Sequence, residues 1–145
     1  MREEPERPVV EGAWAWSDAW VLTAACVRET NPVSLVDLIE AADYINHAVL
    51  LDEEINGAVA RLAAADLVEL AGHDVLVTAR GRQLYEEATE GRPDVIAMTN
   101  AVSRALYRIE LPDDIAAAPQ IPEAVLREVK ERWRDDLPPE LAQQD

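Results

Sequence analysis

Between Asp52 and Ala88 three local signals fall in a fixed order, and together they limit the folds open to this chain. Residues 52–68 (DEEINGAVARLAAADLV) place Ile55, Val59, Leu62 and Ala63 at a period of three and four. That spacing predicts a helix ending in the apolar pair Leu67-Val68. Residues 68–78 (VELAGHDVLVT) predict a short hairpin, with Val75 and Val77 on one face and Gly72-His73-Asp74 in the turn. From Thr78, TARGRQLYEEA opens a further helix. Helix, two-stranded ribbon and helix in that order predict a mainly α domain carrying one small β-hairpin.

The flanking sequence adds helices on both sides. Residues 1–12 are charged and contain proline, and are expected to form a flexible N-terminal arm. Ser17 is the expected N-cap of a first helix reaching about Glu29, with Trp20, Ala24 and Val27 sharing a face. Asn31-Pro32 breaks it. Ser34 followed by Asp37 resembles a capping box and opens a second helix, SLVDLIEAADYINHA, burying Leu35, Leu38, Ile39, Ala42 and Ile45. Residues 48–51 (AVLL) are expected to pack, and Asp52 to cap the third helix.

A fourth helix over about 79–89 buries Leu84 and Tyr85. A fifth, over 94–110, repeats Val95, Met98, Val102, Leu106 and Ile109 at helical spacing. Three prolines in 111–122 (LPDDIAAAPQIP) read as a linker or an extended crossing strap, and a last helix over 123–136 carries Leu126, Val129 and Trp133 on one stripe. The expected plan is an arm over 1–12, a main domain over 13–110, and a linker with a C-terminal amphipathic helix over 111–145.

At 145 residues and 49% apolar content the chain can bury a core without disulfides or metal, and the single Cys26 is expected to be a small buried hydrophobe. No run is long enough to span a membrane and MREEPERPVV lacks the basic-then-apolar layout of a signal peptide, so the expected location is cytoplasmic. Thirteen basic residues face twenty-nine acidic ones, a formal charge of −16. Such a surface repels nucleic-acid phosphates unless its basic groups are gathered together. Lys130 is the single lysine, and the composition resembles that of proteins from salt-loving archaea or GC-rich bacteria. In a high-salt cytoplasm the acidity would be a general solvent adaptation.

Residues 34–88 resemble the winged helix-turn-helix superfamily, closest in rhythm to transcription regulators of the MarR and PadR kinds. The resemblance rests on Ala58-Val59-Ala60-Arg61-Leu62 through Leu67-Val68, and on the return strand leading into Thr78-Ala79-Arg80-Gly81-Arg82-Gln83-Leu84. It implies a winged helix with extra N- and C-terminal helices, in which Thr78 caps the fourth helix and Gly81 lets that helix pass close to the wing. In relatives that bind DNA the third helix enters the major groove. Carried over, that puts Glu53, Glu54, Asn56, Gly57, Ala60, Arg61 and Ala64 on the outer face. The DNA-contact positions implied are Asn56, Arg61, His73, Arg80 and Arg82. They are few for a phosphate-gripping surface, because specific binding draws on several such contacts.

Two functions are therefore expected in order. The first is a non-enzymatic protein-interaction or dimeric regulatory module, with Trp14, Trp16, Leu126, Val129 and Trp133 as interface candidates. Its partner is another protein or a second copy, since MarR-like relatives pair through terminal helices. The alternative is a dimeric DNA-binding regulator, which clustering of Arg28, Arg61, Arg80 and Arg82 on one face would support. A small-ligand pocket lined by Trp20, Tyr44 and Tyr107 is a lesser reading. No enzyme, metal or cofactor is expected. His47 and His73 stand alone, no Gly-rich phosphate loop occurs, and adjacent acids such as Glu53-Glu54 diverge around a helix.

Overall fold

The computed structural model describes residues 9–28, 30–116 and 121–135. The elements follow in the order β1 (Val9–Glu11), α1 (Trp16–Val27), α2 (Leu35–Asn46), α3 (Asp52–Ala64), β2 (Val68–Ala71), β3 (Asp74–Val77), α4 (Ala79–Thr89), α5 (Val95–Leu106), β4 (Asp114–Ala116) and α6 (Glu123–Asp135). The architecture is mainly helical, with one antiparallel hairpin, β2–β3, and a second short antiparallel ribbon, β1–β4.

Helix α1 is the axis of the molecule, packing against α2, α3, α4 and α5. Every residue from Asp18 to Cys26 is buried, so the helix is enclosed all round rather than along the single face its spacing predicts. Its start also differs from expectation. Ala15, not Ser17, precedes the first helical residue, and the Asp18 carboxylate accepts the Ala15 N–H at 2.8 Å.

At α2 the expected cap is in place, with Ser34 Oγ accepting the Asp37 N–H at 3.2 Å. Helix α3 begins one residue earlier than a cap at Asp52 predicts. Leu51 precedes it, Asp52 is its first residue, and Glu54 Oε1 accepts the Leu51 N–H at 2.9 Å. In the 48–51 stretch Leu50 is fully enclosed while Leu51 faces solvent.

The hairpin pairs Val68 with Val77 and Ala71 with Asp74, leaving Gly72-His73 as a two-residue loop. Gly72 has φ +65, a backbone state that only glycine adopts cheaply. The outer edge of β3 is closed by the segment before α2. Val33 and Val75 exchange both backbone hydrogen bonds, at 2.8 and 2.9 Å. The Asn31 side-chain amide does the same with Val77, at 3.0 and 2.9 Å. Thr78 Oγ1 then accepts the Gly81 N–H at 3.0 Å and starts α4. A Cβ at Gly81 would collide with the Leu67 carbonyl oxygen, so the close approach requires glycine.

Residues 111–122 contain more than the expected linker. Strand β4 pairs with β1, in the register Val9↔Ala116 and Glu11↔Asp114, so residues 9–11 of the expected arm belong to the fold. The rest of that arm, 1–8, lies outside the described residues. Helix α6 lies along α2 and buries Leu126 and Trp133 against this chain's own core. Enclosing a leucine of this kind contributes about 1.5–3 kcal/mol. Helix α5 stops at Leu106, with Ile109 beyond it in a turn.

Candidate interaction surfaces

The outer side of α3 is where the resemblance places nucleic-acid contacts, and its side chains are committed within the chain. Arg61 turns inward to α1. Its Nε and Nη2 reach the two Asp18 oxygens at 2.8 and 2.9 Å, a bidentate pair around a carboxylate with no solvent exposure. Taking an aspartate out of water is costly unless it is paired and hydrogen-bonded, which explains why Arg61 is drawn inside. Gly57 is buried with it, whereas Ala63, expected in the core, is exposed.

Asn56 is held from the other side. Its Oδ1 accepts the Ile121 N–H at 2.8 Å and its Nδ2 donates to the Ile121 carbonyl at 3.2 Å. An asparagine amide sets an N–H donor beside a carbonyl acceptor in one plane, so it pairs with a backbone unit as a strand would. Strands β1 and β4 also lie against α3, and Lys130 of α6 meets Asp52 at 2.7 Å. The exposed positions of α3 are Glu53, Ala63 and Ala64, a carboxylate and two methyl groups.

The other expected arginines have separate neighbours. Arg28 pairs with Glu40 at 3.3 Å on the surface. Arg82 donates from Nη1 to the Cys26 carbonyl at 3.0 Å and lies 6.0 Å from the Tyr85 ring centre. His73 is exposed at the hairpin tip, beside a crevice of about 500 Å³ shared with Ser34, Asp37, Val129 and Arg132. Arg80 lies on a different groove, described below.

The tryptophan-rich segment works inside the molecule. Trp14 Nε1 donates to the Ile109 carbonyl, Trp16 Nε1 to Asn100 Oδ1 and Trp20 Nε1 to the Ala42 carbonyl, each at 2.8 Å. Of the interface candidates, Trp14, Leu126 and Trp133 are buried in this chain, and Trp16 and Val129 are half-buried. The three aromatic residues of the ligand-pocket reading are not brought together. Trp20 is enclosed, while Tyr44 and Tyr107 are 69% and 62% exposed.

Between α4 and α5 runs an open groove of about 440 Å³, lined by Leu84, Ala88, Ala105 and Ile109 with Arg80 and Arg108 at its rim. Sequence reasoning singled out Arg80 but not Arg108 or the trough. The available signal was the pairing of small with large residues at four-residue spacing, Leu84/Ala88 and Ala105/Ile109.

Cys26 is the remaining reactive group. Burial pushes its thiol up to about 12, only partly offset by the Arg82 charge. At neutral pH it stays protonated and is a poor nucleophile. Tyr85 beside it is raised as well, by burial first and by Cys26 second. Among the described residues no three His, Cys, Asp or Glu side chains gather where they could hold a metal ion. No helix among them is long and apolar enough to cross a membrane. No family model matches the chain, and neither the curated proteins nor the solved structures provide a match.

Proposed function

We propose that the chain is a winged helix that has given up reading DNA and serves as a non-enzymatic protein-interaction module. The fold part of this reading rests on the succession α2, α3, β2–β3 and α4, with Val33 bridging the free edge of β3 as a short third strand. The observation that carries the functional part is the state of α3. Asn56 and Arg61, the two side chains there suited to bidentate contacts with adenine and guanine, are bonded to Ile121 and Asp18. What remains outside is acidic or apolar, on a chain of formal charge −16.

Phosphate backbones demand several basic contacts on one surface, and affinity falls steeply as salt rises. Arg61, Arg28 and Arg82 are divided among an internal carboxylate, a surface glutamate and a backbone carbonyl, and Arg80 and Arg108, on a separate groove, are too few to supply them. Release of the Asn56–Ile121 contact would uncover α3 but would leave Arg61 paired with Asp18.

The deciding experiment is binding of random-sequence duplex DNA across a salt series that includes molar potassium chloride. No binding at any salt is expected. Measurable affinity, above all affinity that persists at high salt, would overturn the reading and favour a DNA-binding regulator adapted to saline surroundings.

A further inference from the structure

The acidity of this chain is not evenly spread. Residues 79–108 hold five arginines against four carboxylates, whereas the other parts of the chain hold eight basic residues against twenty-five acidic ones. The segment that makes up α4 and α5 thus has a slightly positive formal balance in a strongly acidic chain, and the other basic run, 127–134 in α6, spends Arg127 and Lys130 on Glu123 and Asp52. The packing between α4 and α5 is also incomplete.

Helix α4 is amphipathic, yet Gly81 is its single buried residue, and Leu84, Tyr85 and Ala88 are each left half-covered. Ala105 and Ile109 on the α5 side are half-covered too. Large and small residues alternate across the gap, so the two alanines leave a trough where close packing would otherwise place side chains. Its rim carries Arg80 and Arg108, neither of which reaches a carboxylate among the described residues. The one acid in the lining, Glu87, accepts a hydrogen bond from Gln83 at 3.0 Å.

We propose that this α4–α5 groove docks an acidic amphipathic helix of a partner protein, deepening the interaction-module reading on which it rests. Apolar anchors at helical spacing enter the trough between Leu84/Ala88 and Ala105/Ile109, and flanking carboxylates meet Arg80 and Arg108. The groove holds about two or three apolar side chains, the scale of one turn-spaced set of anchors rather than of a whole domain. The charge difference selects the partner. An acidic helix is repelled by most of this surface and meets at this groove two arginines with no carboxylate of their own among the described residues, which biases where it lands and how it is oriented. A second copy is the poorer occupant, because a two-fold pairing of this face would bring both pairs of guanidinium groups together.

The test uses the full chain and three dye-labelled synthetic helical peptides: a leucine–glutamate amphipath, its leucine–lysine counterpart and a scrambled glutamate peptide. Fluorescence anisotropy reads binding at low and high salt, and amide chemical shifts locate it. The glutamate amphipath is expected to bind, with shifts at residues 80–88 and 105–109. The paired substitution Arg80→Glu with Arg108→Glu is expected to weaken it by about tenfold or more and to strengthen the lysine peptide.

Equal binding of all three peptides, indifference to the charge reversal, or shifts confined to other elements would overturn the proposal. Self-association that the reversal abolishes would assign the groove to a second copy and overturn it as well. Failure with the peptides while duplex DNA also fails to bind removes the groove alone; DNA binding removes the broader functional reading.

Discussion

Helix α3 and helix α4 stand on either side of the β2–β3 hairpin, and their outer surfaces have met opposite fates. Around α3 the polar groups are paired within the chain: Arg61 with Asp18, Asn56 with Ile121, Asp52 with Lys130. Around α4 the apolar side chains are half-covered, and the arginine at its start has no carboxylate within reach among the described residues. A helix lying near a surface is therefore not automatically a contact surface. What decides is whether its hydrogen-bonding and apolar groups are already satisfied, since a new partner gains only from those that are not.

The comparison breaks most readily at Arg61. Its replacement by alanine strands the Asp18 carboxylate, and a loss of about 3–5 kcal/mol in urea unfolding is expected. Removing both partners, Asp18→Ala with Arg61→Ala, should cost less than the sum of the two single changes. A cost near zero for Arg61→Ala would mean that the arginine is available to outside partners after all.

Asn56→Ala has a smaller expected effect, about 1–3 kcal/mol, because it leaves the Ile121 backbone groups without their partner. Amide exchange sharpens this one. Protection at Ile121 should fall while protection in α1 is retained, and an unchanged Ile121 amide would mean that the strap is held by packing alone. The smallest effect belongs to the open side. Arg80→Glu combined with Arg108→Glu should shift unfolding free energy by no more than about 0.5 kcal/mol. A larger loss would show those arginines to be part of the scaffold.

The local signals in the sequence correspond closely to the structure. Ser34 and Thr78 cap as their positions predict, Gly81 stands where backbone meets backbone, and Val75 and Val77 share the buried face of the hairpin. Each depends on neighbours a few residues away. Two caps differ locally, since α1 and α3 start after Ala15 and Leu51 and not after Ser17 and Asp52, but the larger misses depend on distance along the chain. Asp18 and Arg61 are 43 residues apart, and Asn56 and Ile121 are 65 apart. An asparagine on a helix has the same local pattern whether its amide meets an adenine or a peptide group. A partial clue was present in WAWSDAWVLTAACV, where one carboxylate in an apolar helix demands a cation from elsewhere. The strand pair β1–β4 left none, since three-residue strands carry too little periodicity to register.

The joining of β1 to β4 also has a meaning in time. Their residues are more than a hundred positions apart, so closing that loop is costly in chain entropy until α1 to α5 have already drawn the ends together. The helices and the hairpin are local and can form early, whereas the ribbon and the Asn56–Ile121 contact belong to the final stage of assembly. On a growing chain the α3 surface stays bare from its own emergence until Ile121 has left the ribosome. Any factor that attends this protein during synthesis meets an acidic helix that the finished molecule has tucked under its own strap.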